Sequence, residues 1–180
     1  MPGTSPTDLF ALAEDYLEAC VDALDTIPTF APALGGAPER SYVAPGLPAL
    51  DCCGPGTNSG GQLTVDVRAV QEDPRSPSGP GSGQRARYGA RKNNVFLVAT
   101  IVRCYPTEVP ASVSDMQAAA EQVDADGWAL WNYIWNLIRS GEFLTLCDDS
   151  SPELRQLTPS GGCCGWNLSM RVALEGYEEP

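Results

Sequence analysis

The stretch from Asn94 to Cys104 constrains the fold most, because Val95, Phe96, Leu97, Val98, Ala99, Ile101 and Val102 make it nearly continuous in apolar side chains. A strand with one wet face alternates apolar and polar residues, whereas one without alternation is covered on both sides. The segment therefore reads as the central strand of a sheet. Gln62–Val70 does alternate: Leu63, Val65, Val67 and Ala69 point one way, and Thr64, Asp66 and Arg68 the other. It reads as a half-buried strand. A third alternating strand follows Gly161-Gly162, with Trp166, Leu168, Met170, Val172 and Leu174 inward and Asn167, Ser169, Arg171 and Glu175 outward. Shorter candidates are Arg40–Ala44, Phe143–Cys147 and Leu154–Thr158, the last as either a loop or an edge strand.

Two segments carry the helical period. Leu9, Leu12, Ala13, Tyr16, Leu17, Cys20, Val21 and Leu24 recur every three or four residues. Ser5 is placed as the N-cap, Pro6 as the first helical residue and Asp8 near the positive helix end, with the helix closing near Asp25. A longer helix is expected from about Asp115 to Ser140, capped by Ser114 and stopped at Gly141. Met116, Ala119, Ala120, Val123, Gly127, Leu130, Ile134, Leu137 and Ile138 form its apolar face, which Trp128, Trp131 and Trp135 widen. So wide a face first suggests a deeply buried core helix. A second reading packs part of the tryptophan stripe, Trp128 and Trp135, on a neighbouring subunit.

The element order and short connections predict an α+β fold, a mainly antiparallel sheet with both helices packed on one face. The 180 residues suit a single domain. Its expected irregular parts are a long hairpin loop at about residues 71–93 and a frayed acidic C-terminus at residues 175–180.

Charge is unevenly placed. The chain has a formal net charge of −12, which argues against free nucleic-acid binding, since phosphate affinity needs a surplus of Lys and Arg. Yet the 71–93 loop holds Arg75, Arg85, Arg87, Arg91 and Lys92 against only Glu72 and Asp73. Two readings stand side by side: an arm that orders against an acidic neighbour, or a solvated hairpin tip. No run approaches the ~20 apolar residues of a membrane span. Met1–Ser5 lacks the basic and apolar regions of a secretory signal, so cytoplasmic synthesis and reduced thiols are expected.

Catalytic constellations are missing from the sequence. With no histidine, Ser-His-Asp and Cys-His mechanisms are excluded, as are the usual His-containing zinc hydrolase sites. Asp124/Asp126 and Asp148/Asp149 read as solvated surface pairs and not as a catalytic dyad, which needs a partly dry cleft. Asp148-Asp149-Ser150-Ser151 lacks the spaced oxygens of a calcium loop. The glycine-rich Gly54–Gly61 lacks the Gly-Lys-Ser/Thr ending that grips phosphate. The expectation is a non-enzyme with no catalytic residue, cofactor or metal. Seven cysteines, Cys20, Cys52, Cys53, Cys104, Cys147, Cys163 and Cys164, make an odd count that argues against a complete disulfide framework. The adjacent pairs Cys52-Cys53 and Cys163-Cys164 read either as a metal site or as small buried thiols at strand starts, and adjacency favours the latter.

Three stretches carry a family resemblance: Cys52-Cys53 with the glycine loop leading into Gln62-Leu63-Thr64-Val65; Ala125-Asp126-Gly127-Trp128-Ala129-Leu130-Trp131; and Gly161-Gly162-Cys163-Cys164-Gly165-Trp166-Asn167-Leu168. Together with the element order they resemble the tail terminator family of long-tailed, siphovirus-type bacteriophages of actinobacterial hosts. That resemblance implies a structural virion protein assembled in the host cytoplasm. Six copies would close into a ring that caps the tail tube. Its partners would be other copies of itself, the tail tube protein and a head-closure (stopper) neck protein, with DNA passing through the lumen without specific binding. The basic loop departs from the family's usual hairpin in length. The alternatives are another head-to-tail connector, such as a stopper, or a cysteine-based metal-binding module. Stoppers are typically small β-barrels, which two long helices disfavour.

Overall fold

The protein is seen in a computed structural model that describes residues 9–26, 36–46, 61–72, 91–105, 112–140, 152–160 and 162–177. For 69–72, 91–93 and 173–177 it gives the backbone path alone. The element order is α1 (Leu9–Asp25), β1 (Arg40–Ala44), β2 (Gln62–Glu72), β3 (Arg91–Cys104), α2 (Val113–Ser140), β4 (Glu153–Ser160) and β5 (Cys163–Tyr177). The strands form one sheet in the order β1-β2-β3-β5-β4. Only β1 and β2 run parallel; the other three pairings are antiparallel. The fold is α+β, as the element order predicted.

The apolar run of β3 occupies the middle of the sheet, where it pairs with β2 on one side and β5 on the other. One face of the sheet carries Leu63, Val65, Val95, Leu97, Ala99, Ile101, Leu168, Met170 and Val172, all in one core with the buried faces of both helices. Helix α1 contributes Ala13, Tyr16, Ala19, Cys20, Ala23 and Leu24 to it, and α2 contributes Leu130 and Ile134. Each such large apolar side chain removed from water stabilises the fold by roughly 1.5–3 kcal/mol. Tyr16 reaches the middle of β5, where its buried hydroxyl donates to the Leu168 carbonyl at 3.1 Å. The phenol thereby fills core volume and still satisfies its polar end.

The other face is more enclosed than alternation suggested. Thr64 and Asp66, expected on a wet face, are buried, as are Gln62, Val98, Thr100 and Val102. Some polar groups there find partners within the sheet, whereas among the described residues the buried Thr64 Oγ1, Asp66 Oδ1 and Asn94 Oδ1 have none. Thr100 Oγ1 donates to Asn167 Oδ1 at 2.8 Å, and the Gln62 amide donates to the Tyr42 hydroxyl at 3.1 Å. Alternation in β2 thus marks two chemistries on its two faces and not a dry face against a wet one.

Several boundaries differ from expectation. The hairpin is paired as far as Glu72 opposite Asn93, so Gln71, Glu72 and Arg91–Asn93 are strand and not loop. A register shift between Val67 and Ala69 leaves Arg68 as a bulge. Leu154–Thr158 belongs to an edge strand, β4, paired with β5. Glu175–Tyr177, expected to fray, continues β5, with Tyr177 opposite Arg91. Helix α2 begins two residues early, because Ser112 and not Ser114 is its cap: the Ser112 hydroxyl accepts the Asp115 amide at 3.1 Å. Ser5, Pro6, Asp8, Gly141 and the strand expected at Phe143–Cys147 lie outside the described residues.

The packing of α2 on β5 depends on a close approach. A Cβ on Gly127 would sit 2.7 Å from the Trp166 indole, and the indole N–H donates to the Val123 carbonyl at 2.6 Å. Gly127→Ala is expected to destabilise the chain by about 1–3 kcal/mol through overpacking. Urea unfolding monitored by tryptophan fluorescence measures this, and a stability unchanged from wild type would refute the packing argument.

Candidate interaction surface

Arg103 and Asp126 fix how α2 sits, and so decide which of its side chains face outward. Arg103 ends the inward-facing row of β3 and is buried, as is Asp126 on α2. The guanidinium grips the carboxylate with two bonds, Nε to Oδ2 at 2.7 Å and Nη2 to Oδ1 at 2.9 Å. Gln122, one turn earlier on α2, donates its amide to Asp126 Oδ1 at 3.0 Å. Arg103 Nη2 also donates to the Gly36 carbonyl at 2.8 Å. Gly36 adopts a left-handed φ of 83°, a conformation glycine takes without strain. Beside it, Asp25 at the end of α1 accepts the Ala37 amide at 2.9 Å. One arginine therefore ties together β3, α2 and the approach to β1.

Asp126 was expected in a solvated pair with Asp124. Asp124 is indeed exposed, but Asp126 is buried in an ion pair. Burial pushes the Asp126 carboxyl above its ordinary value, while the Arg103 guanidinium and the Gln122 amide oppose that rise. Neither Arg103 nor Gln122 was singled out from sequence. A lone arginine ending an apolar strand, and an acid between Val123 and Leu130 on an inward face, were the available signals.

With Asp126 and Gly127 turned inward, the opposite face of α2 presents Gln117, Glu121, Asp124, Trp128 and Asn132 to solvent. Their spacing of three and four residues makes a single stripe. Trp128 is 58% exposed. Beyond it, Trp131 and Trp135 stack in parallel with ring centroids 5.9 Å apart. The Arg139 guanidinium lies over the Trp135 ring at 5.9 Å, a cation–π contact. The stripe thus runs from acidic at its N-terminal half, through an open indole, to stacked aromatics capped by a cation. Of the two interface tryptophans named from sequence, Trp128 is exposed and Trp135 is half-buried within this stack. Arg91 and Lys92 open β3, while Arg75, Arg85 and Arg87 lie outside the described residues.

The cysteines divide. Cys20 and Cys164 are free and buried. Burial pushes both thiols up, and the nearby Asp126 charge adds to the rise at Cys164. Such thiols stay protonated and unreactive at neutral pH. Cys104 and Cys163 are disulfide-bonded, which corrects the expectation of reduced thiols throughout. Cys52, Cys53 and Cys147 lie outside the described residues, as do Asp148 and Asp149. Among the described residues, no group of three or more Cys, Asp or Glu side chains is placed to hold a metal ion, and no helix is long and apolar enough to cross a membrane.

No protein-family model matches the chain, and no curated protein matches it.

Two predictions follow from the buried polar groups. Asp126→Ala leaves Arg103 buried and without its carboxylate, and is expected to destabilise the chain by about 3–5 kcal/mol. The double variant Arg103→Met/Asp126→Leu removes both charges and should unfold in urea much closer to wild type; equal losses for the two variants would show that the ion pair itself is not what matters. For Cys20, the unfolded thiol ionises above its ordinary value of 9.0 while the folded thiol keeps its proton. The unfolded state then binds fewer protons, so stability falls as pH rises past that value, by about 1.4 kcal/mol per unit from this residue. Urea titrations at a series of alkaline pH values should show that slope removed in Cys20→Ala, and identical slopes would contradict it.

Proposed function

We propose that the chain is a structural assembly subunit of the tail-terminator type, closing with other copies into a ring that caps a phage tail tube and receives the head-closure neck protein. The observation that carries this reading is Trp128, held 58% exposed on a helix whose other face is already committed to the sheet. Buried ion pairing through Asp126 and close packing at Gly127 fix the rotation of α2, so this exposure is built into the fold. An indole kept in water, rimmed by polar side chains, is the usual signature of a surface meant for another protein.

The remaining features support the same class. The acidic excess suits a lumen through which DNA slides without sticking. Disulfides at Cys104 and Cys163 suit a particle that leaves the reducing cytoplasm. They also count against the metal-binding alternative, because a bonded sulfur is not a thiolate ligand. The sheet leaves β1 and β4 as its two edges, and β4 bears Pro159, which lacks an N–H to donate and so blunts strand addition there.

Negative-stain imaging of the purified protein, alone and mixed with polymerised tail tubes, tests the reading. Closed rings, or discrete densities at one end of tubes whose lengths stop growing, are expected. Tubes that elongate as if the protein were absent, with no ring in either sample, would overturn it.

A further inference from the structure

We propose that the outward face of α2, from Glu121 through Asp124 to Trp128, is the receptor for the basic 71–93 segment of a second copy of this chain. The inference rests on the assembly reading above and names the contact by which copies meet.

Three observations converge on this occupant. The first is charge. The outward stripe of α2 places Glu121 and Asp124, both exposed, beside the open Trp128 ring. In a chain of net charge −12, the 71–93 segment gathers Arg75, Arg85, Arg87, Arg91 and Lys92 against two acids. Guanidinium groups pair with carboxylates through two parallel hydrogen bonds and stack on indole faces, so arginine is the side chain that suits both parts of such a surface. The second is a precedent within the chain. On the same stripe, Arg139 already lies over Trp135 at 5.9 Å, while among the described residues no cation lies over Trp128, which is exposed. The third is placement. Strand β2 ends at Glu72 and β3 begins at Arg91, so the 18 residues 73–90 join the two strand ends. A connection of that length can reach at most roughly 30 Å from its two ends, enough to meet a neighbouring molecule.

Receptor and ligand are different surfaces of one chain, so the contact is heterologous: each copy offers one of each, and repetition closes a ring or extends a filament. This gives the contact a signature in mixing experiments that an isologous dimer lacks.

The test uses the full chain, with mass measured by light scattering at low and high salt. Glu121→Arg/Asp124→Arg disables the receptor, Arg85→Glu/Arg87→Glu disables the ligand, and Trp128→Ala removes the stacking platform. All of these α2 positions are exposed, and circular dichroism checks that each fold is kept. The wild type should associate at low salt and less so at high salt. Each double variant alone should associate on the order of 100-fold more weakly, and Trp128→Ala at least about tenfold more weakly. Mixing the two double variants pairs unaltered segment with unaltered receptor and reversed segment with reversed receptor, so alternating assemblies larger than a dimer should return, as they should when all four charge reversals are combined in one chain. Wild-type-sized assemblies from either double variant overturn this contact and leave the ring reading standing. A wild-type chain that stays monomeric alone and fails to cap tail tubes removes both.

Discussion

The bidentate pairing of Arg103 with Asp126 is the interaction on which the arrangement of this molecule depends. A guanidinium sealed between helix and sheet demands a carboxylate in one place, and an acid on the inward face of a helix demands a cation in return. Neither group tolerates a rotation of α2 by even one residue. A hydrophobic seam alone accepts small sliding and turning, because apolar contacts are not directional. The ion pair removes that freedom, and the Gly36 carbonyl and Gln122 amide add an acceptor for Arg103 and a donor for Asp126. Replacing such a pair with apolar residues often leaves stability unchanged; its value here lies in orientation.

Orientation is what gives the outer stripe of α2 its character. Gly127 admits the Trp166 indole against the helix backbone, and the next residue is carried about a quarter turn around, into water. The exposed Trp128 and the buried Asp126 are thus two results of one helical phase. The helical phase of the surface proposed for assembly is set by the core beneath it, and an aromatic anchor held in place loses little conformational entropy when a partner arrives.

Much of the fold was legible in the sequence because hydrophobic period reports burial directly. The nearly continuous apolar run of β3, the alternation of β2 and β5, and the three-four spacing of α1 each mark an element whose neighbours the structure supplies. The site was legible only in part. Trp128 and Trp135 drew notice by type, but periodicity placed Trp128 merely at the margin of an apolar face, and exposure is settled by which flank of that face meets the sheet. Asp126 was misread because an aspartate beside another aspartate ordinarily lies in water; its partner sits 23 residues away in sequence, and no local pattern announces a long-range ion pair. The burial of Thr64 and Asp66 was missed for a related reason: alternation separates two faces without saying whether either is wet.

The bulge at Arg68 divides the β2–β3 ribbon into two mechanical parts. On one side β2 lies over the core; on the other it runs on to Glu72, while β3 stays paired with β5 as far as Arg91 opposite Tyr177. A bulge bends its strand and tightens the local twist, so the bearing of everything beyond it is set at one residue. Gaining or losing a residue there would change how β2 pairs beyond Val67 while the β3–β5 register stays as it is. Such a joint lets the end of one strand vary in length while the body that carries it stays the same.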